Sequence, residues 1–231
     1  MQRYRGYGAV VRSTLSRDGP SGSMLGRTAW NRLALTAMTT IRAGATPWSI
    51  TDYNTDGAAT GPLTIQAGGN DAALRGAVIA HGLPQLPTEI TAFLSADMGN
   101  YGGSFGANAQ CGIAYYETSS QKAVVFGPEG GTGNISYITY DNTGSKIAVI
   151  ESAADLRATS GAAIWLRLRV FGLSFFGEVS TDGLVWANAT PGGVGDAGFF
   201  TGVPDCFGLL HYAGNVNNGT GVSAWHLFAT P

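Results

Sequence analysis

From Ile164 to Phe171 the chain alternates between two faces. Ile164, Leu166, Leu168 and Val170 fall on one, and Trp165, Arg167, Arg169 and Phe171 on the other. A period of two marks a half-buried strand. Gly172-Leu173 suits a Gly-first hairpin turn, and the next strand then runs back from Ser174. That register predicts Arg167 opposite Glu178, Val170 beside Phe175 and Leu166 beside Val179. Asp182-Gly183 reads as a second tight turn, because Gly accepts positive φ and Asp bonds its own backbone. It returns Trp186 beside Val179, facing inward. The segment reads as an antiparallel meander with Trp186 and Trp225 in the core. Trp165 lies on an outward face, to be covered by a loop or a neighbouring subunit.

Turn signals recur at short intervals along the rest of the chain. Asn54-Thr55-Asp56-Gly57, Gly68-Gly69-Asn70-Asp71, Asn142-Thr143-Gly144 and Pro191-Gly192-Gly193 are examples. Between such signals lie runs of strand length: 29–36, 46–51, 62–67, 73–80, 88–97, 109–117, 121–127, 134–141, 145–151, 163–171, 174–181, 184–188, 205–213 and 222–229. About fourteen short strands at this spacing predict an all-β, two-sheet antiparallel sandwich. Ser152 to Asp155 reads as a cap for one helical turn before Leu156, and nothing longer has a helical period.

The pattern W-L-R-L-x-x-x-G-x-x-F…S-x-D-G-x-x-W between Trp165 and Trp186 resembles the signature hairpins of concanavalin A-like, laminin-G-like jelly rolls. Residues 110–116 and 121–127 resemble the glycine-aliphatic and lysine-aliphatic hairpin of that fold. Residues 207–210 and 222–228 resemble its closing strands. The resemblance covers residues 30 to 230 and implies a jelly-roll sandwich. Such domains occur in bacteriophage virion proteins and in bacterial glycan-associated proteins. Lectins, glycosidases and structural modules share the fold, so function must come from a site.

Composition is consistent with a single sandwich: 35 glycines among 231 residues serve many turns, and only 12% of residues are charged. No apolar run approaches the roughly 20 residues of a membrane span. Met1 to Gly6 carries basic residues with no apolar h-region following, so assembly in a host cytoplasm is expected.

Charge is unevenly placed. Arg3, Arg5, Arg12, Arg17, Arg27, Arg32 and Arg42 face a single early acid, Asp18, giving +7 − 1 = +6 over the first 42 residues. The remaining chain holds six bases and fourteen acids, 6 − 14 = −8, and the two parts sum to the net −2. The planar Arg fork suits interfaces. Apolar residues such as Tyr4, Tyr7, Val10, Val11 and Leu15 lie among the charges. Residues 1–28 therefore read as an arm that docks through Arg3, Tyr4, Arg5, Tyr7, Arg12 and Arg17 on other virion proteins or on a second copy. Residues 29–231 read as the sandwich. A frayed basic terminus without a partner is the plainer alternative. Nucleic acid is not expected as a partner, since the acidic body would repel phosphate. A homo-oligomer is expected, and no membrane contact.

Hydrolysis of a glycan needs two carboxylates flanking the bond. No E-x-D-x-E run exists; Glu89, Glu117, Glu129, Glu151 and Glu178 stand singly, and Glu178 is predicted to pair with Arg167. The chain is therefore expected not to be an enzyme. His81, His211 and His226 follow no metal spacing. Cys111 and Cys206 read as buried free thiols. Asp97, Asn100, Asp141-Asn142 and Asp182 read as turn formers before calcium ligands. Neither a cofactor nor a metal is expected.

Sugar sites in sandwiches set an exposed aromatic against the apolar face of a sugar, with loop polar groups beside it. Tyr101 with Asn100, Trp48, Tyr53, and Tyr212 with Asn215 are the candidates, although sheet packing explains each ring singly. The expected protein is a non-enzymatic virion component, a head fibre or decoration protein or a tail or baseplate appendage. It would be held by its arm and would aid adhesion to host-surface glycan. The alternatives are a glycan hydrolase of the same fold and a bacterial carbohydrate-binding module.

Overall fold

The computed structural model describes residues 39–41, 49–52, 63–67, 71–80, 89–97, 109–130, 134–143, 145–157, 163–171, 174–189, 194–195, 199–214 and 220–230. Fifteen strands lie among them. The first eight are β1 (Thr39–Ile41), β2 (Ser49–Asp52), β3 (Leu63–Ala67), β4 (Asp71–Ala80), β5 (Glu89–Asp97), β6 (Gln110–Glu117), β7 (Lys122–Pro128) and β8 (Asn134–Tyr140). The others are β9 (Lys146–Arg157), β10 (Ala163–Phe171), β11 (Ser174–Ser180), β12 (Ala187–Asn188), β13 (Val194–Gly195), β14 (Cys206–Gly214) and β15 (Thr220–Thr230). No helix occurs among the described residues.

The strands form two antiparallel sheets. Sheet A has the order β1-β4-β14-β6-β7-β8-β9, and sheet B the order β12-β11-β10-β5-β15-β3-β2, with β13 also on β11. The last two strands enter the interiors of the sheets, β14 between β4 and β6 and β15 between β5 and β3. Late strands inserted between early ones give the jelly-roll connection, and the described chain is a two-sheet antiparallel jelly-roll sandwich.

The sheets differ in how their strands meet water. Every residue of β6 is buried, as are six of seven in β7 and in β8. β11 instead alternates between buried and partly exposed positions. Sheet A is therefore closed on both faces at β6, β7 and β8, whereas β11 of sheet B is closed on one. Between the sheets lie Leu63, Ile65, Ile90, Leu94, Ile113, Phe126, Leu166, Leu168 and Leu209. A second buried cluster, including Ala114, Val125, Ile138, Tyr140, Leu210 and Tyr212, draws all its members from sheet A.

The β10–β11 hairpin has the expected register, with Arg167 opposite Glu178, Val170 opposite Phe175 and Leu166 opposite Val179. Two local readings are corrected. Ser152–Asp155 is not a helical turn: it lies within β9, where Ser152 pairs with Ser136 and Ala153 with Ile135. The pairing then jumps to Asn134 with Arg157, so the surplus residues are absorbed as an irregularity in the strand. Trp186 is not opposite Val179, because Ala187 takes that place.

One close approach sets the spacing of the sheets. Phe126 and Tyr137 are register partners in sheet A, with ring centroids 4.6 Å apart. They press against Gly177 of sheet B, where an added Cβ would lie 2.6 Å from the Phe126 ring and against the Tyr137 hydroxyl. A side chain there would force both rings from their rotamers. Gly177→Ala is expected to cost about 1–3 kcal/mol through overpacking. In a chain of this size, thermal denaturation should show a drop of about 2–4 °C per kcal/mol. An unchanged melting temperature would show that the sheets are not held at this contact.

Candidate functional site

The half-exposed face of sheet B carries a cluster of charged and aromatic side chains. Alternation along β10 and β11 sends Arg167, Arg169, Phe176 and Glu178 to the same side. Arg167 Nε donates to Glu178 Oε2 at 2.7 Å, and Arg169 Nη2 lies 2.7 Å from the same oxygen. The Arg167, Arg169 and Glu178 side chains are 21%, 36% and 12% exposed. The Arg167 guanidinium also lies over the Trp186 ring, 4.0 Å from its centroid. An exposed ion pair alone contributes about 0–1 kcal/mol. Here the carboxylate and the ring hold the planar fork from two sides, leaving its other N–H groups directed by the frame.

Trp186 reaches this position because the turn before it is longer than two residues. The Asp182 carboxylate accepts from the backbone N–H of Leu184 at 2.8 Å and of Val185 at 3.0 Å. Ser180 Oγ accepts from the N–H of Gly183 at 2.8 Å. The hydrogen bonds from Val185 and Leu184, aided by the Ser180 hydroxyl, outweigh desolvation and hold the Asp182 carboxyl below its ordinary value. Gly183 adopts a φ of 72°, in the left-handed region. An added Cβ there would sit 3.0 Å from the Trp165 indole, so the turn caps Trp165. That ring is 8% exposed and stacks on Phe93 with centroids 4.8 Å apart. The expected cover over Trp165 is this loop. The expected core role of Trp186 is corrected: the five residues 181–185 shift it out of inward register, and it lies half-exposed under Arg167. The S-x-D-G motif carried the needed signal, since an Asp that caps two N–H groups beyond itself requires a longer turn.

Most of the ring-and-loop candidates lie outside the described residues: Trp48, Tyr53, Asn100, Tyr101 and Asn215, as do the arm residues Arg3, Tyr4, Arg5, Tyr7, Arg12 and Arg17. Tyr212 is described, and its reading as an open stacking ring is corrected. It is 8% exposed, with its ring centroid 5.2 Å from that of Tyr140. The side of β14 that carries it belongs to the second buried cluster, so the ring is committed to packing.

Several other candidate groups among the described residues are structural in their contacts. Glu117, 2% exposed, ends β6 and accepts from Ser119 Oγ at 3.2 Å, Thr201 N at 2.9 Å, Gly202 N at 2.5 Å and the Ser120 hydroxyl. It clasps the 199–205 segment to the β6–β7 turn. Asp205 completes the clasp, its carboxylate accepting from Thr118 N at 2.7 Å. Asp141 accepts from Thr143 N at 2.8 Å and Ser145 N at 3.0 Å, the work of a turn former. His211 is buried and its Nδ1 donates to the Gln110 carbonyl at 3.1 Å. Cys111 and Cys206 are reduced and buried. They lie in different apolar clusters, Cys111 between the sheets and Cys206 on the other side of sheet A. Burial pushes the Cys111 thiol far above its ordinary value, away from thiolate chemistry. No group of three or more His, Cys, Asp or Glu that could hold a metal occurs among the described residues.

No protein-family profile and no curated protein matches this chain. Solved structures do. A functionally unknown protein from Saccharomyces cerevisiae is 14% identical with a TM-score of 0.53, over 86% of this chain and 100% of that one. GH43B of the Bacteroides ovatus xyloglucan PUL is 11% identical with a TM-score of 0.49, over 86% of this chain and 38% of that one. The carbohydrate-binding module CBM66 from Bacillus subtilis is 13% identical with a TM-score of 0.46, over 84% and 96%. At 14% identity the likeness to the yeast protein is one of fold alone.

Glu117 yields a pH-dependent prediction. Burial disfavours its charge, but the hydrogen bonds from Ser120, Thr201, Gly202 and Ser119 prevail and hold it below its ordinary value of 4.5. A lowered folded-state value stabilises fully above the unfolded value and loses that contribution as pH falls through the folded one. Glu117→Gln should therefore cost about 1–3 kcal/mol at neutral pH. Denaturant unfolding should show the gap to the parent protein narrowing as the pH drops below 4.5. A gap independent of pH would contradict the ionised clasp.

Proposed function

We propose that this chain is a non-enzymatic, lectin-like β-sandwich that binds carbohydrate on the half-exposed face of sheet B. We further propose that it is displayed on a bacteriophage particle, as a head decoration or fibre or as a tail or baseplate appendage. The observation that carries the binding reading is the Arg167 fork held between the Trp186 ring and Glu178. A sugar offers an apolar ring face and a rim of hydroxyls, and it is recognised by an aromatic surface beside fixed donors and acceptors. Trp186, Arg167, Arg169 and Glu178 supply both within one patch.

Two of the described acids are committed to partners, which supports binding over hydrolysis. One Glu178 oxygen is shared by two guanidiniums, and Glu117 is enclosed by four donors. The binding half of this reading is common to a virion lectin and to a bacterial carbohydrate-binding module. The virion half rests on the resemblance of the Trp165–Trp186 hairpins and on the arginine-rich start of the chain.

Binding of the full chain to an array of bacterial-surface and plant polysaccharides tests the proposal, followed by titration of the intrinsic tryptophan fluorescence. At least one glycan class should bind without release of reducing sugar. Trp186→Ala should weaken that binding by about tenfold or more, as expected for an aromatic anchor. Binding that survives Trp186→Ala and Arg167→Ala together would move the site elsewhere; turnover of the bound glycan would make the chain an enzyme.

A further inference from the structure

Hydrogen-bond donors outnumber acceptors in the charged cluster of sheet B. Arg167 Nε and Arg169 Nη2 each lie 2.7 Å from the same Glu178 oxygen, so one oxygen holds two cations side by side. A guanidinium carries five N–H donors. Arg167 spends Nε on Glu178, and the Nη1–Nη2 end of its fork has no acceptor among the described residues. Arg169 spends Nη2, and its buried Nε has none among them. Exposure points the same way. The Arg169 and Arg167 side chains are 36% and 21% exposed and Glu178 12%, so a ligand arriving from solvent meets N–H groups before the carboxylate. Glu89, opposite Arg169 on β5, accepts from Thr91 Oγ1 at 3.3 Å and makes no ion pair with either guanidinium among the described contacts.

We propose, on the reading that this face binds carbohydrate, that the glycan it takes is acidic. The carboxylate of a uronic or sialic acid residue is received by the outward N–H groups of Arg167 and Arg169, with the sugar ring set against Phe171. The Trp186 ring covers one face of the Arg167 guanidinium, 4.0 Å from its centroid, and leaves the edge of the plane to a ligand. A guanidinium stacked in this way takes a carboxylate bidentately through its free edge. An apolar surface lies alongside. Phe171, 59% exposed, follows Arg169 on the same face of β10, about 6.8 Å along the strand. Phe176 meets it edge-on, with ring centroids 5.6 Å apart. A neutral sugar leaves the spare donors to water, whereas a carboxylate supplies the second anion that the paired guanidiniums lack. The selection is local to this face, because the whole chain has a net charge of −2 and does not gather polyanions through its bulk charge.

Sugars that differ in the carboxylate alone test the proposal: oligogalacturonates against their methyl esters, and sialyllactose against its methyl ester. Dextran sulfate against dextran serves as the probe of general attraction to polyanions. Each is titrated against the full chain by calorimetry. At least one acid form should bind about tenfold or more tightly than its ester, the scale of a charge-assisted pair. Arg169→Gln should abolish that preference, and so should Arg167→Lys, which keeps the charge but not the fork. Melting temperatures at the parent value establish that the variants are folded. Equal binding of acid and ester, weakened by Trp186→Ala, would overturn the acidic ligand and leave the carbohydrate reading standing. An acid preference that survives both arginine substitutions in one chain would assign it to the basic residues among the first 42 and overturn the proposal. Dextran sulfate bound as tightly as the acidic sugars, with the same loss in the variants, would show a site for any anion and overturn it as well. Absence of binding to every glycan, neutral or acidic, would overturn both readings together.

Discussion

The central strands of sheet A, β6 to β8, must keep both of their faces dry, and the rest of the architecture accommodates that constraint. A sheet covered on one side shows alternating strands, whereas one covered on both shows continuous apolar runs. β6, β7 and β8 follow the second pattern, with Ala114, Tyr116 and Val125 on one face and Ile113, Tyr115, Val124 and Phe126 on the other. A polar group inside such a sheet has to be satisfied locally. Gln110 shows how: its Nε2 donates to the carbonyls of Ser136 at 3.1 Å and Val125 at 3.3 Å, and its Oε1 accepts from the Tyr140 hydroxyl at 2.8 Å. Each bond contributes about 1 kcal/mol net, but leaving the amide unpaired would cost more than that. The amide therefore ties β6, β7 and β8 together within the apolar layer.

Sheet B is freed from that constraint on its outer side, and the candidate chemistry is found there. Trp165 stacked on Phe93, the Arg167–Glu178–Arg169 cluster and Trp186 all lie on positions that alternation turns away from the core. The two sheets meet across Gly177, whose missing side chain admits the Phe126–Tyr137 pair. A strand that packs so closely inside can carry a well-positioned charged cluster outside, since its backbone has little room to shift. Glu178, next to Gly177, thus inherits its placement from the core.

Legibility in the sequence followed the range of the interactions. The β10–β11 register was readable to the residue, because alternation and a Gly-containing turn both act over a few positions and agree. Positions set by longer contacts were not. Trp186 has the composition of a core residue, and only the hydrogen bonds from Leu184 and Val185 to Asp182 displace it. Tyr212 adjoins an Asn-rich loop and so resembles a binding ring, but the layer that buries it depends on both faces of sheet A being covered. The clue was present as the unbroken apolar runs in β6 and β7, which a sheet with one wet face would not need. Ser152–Asp155 carried a local helix cap, and pairing with β8 overrode it.

Oxidative footprinting of the aromatic side chains in the native chain tests the central claim most directly, that the middle of sheet A is closed on both faces and sheet B presents the open one. Trp186, Phe171 and Phe176 should be modified readily, while Tyr116, Tyr140 and Tyr212 remain protected together with Tyr115 and Tyr137 of the core. Modification of Tyr140 and Tyr212 at the rate of Trp186 would contradict the account.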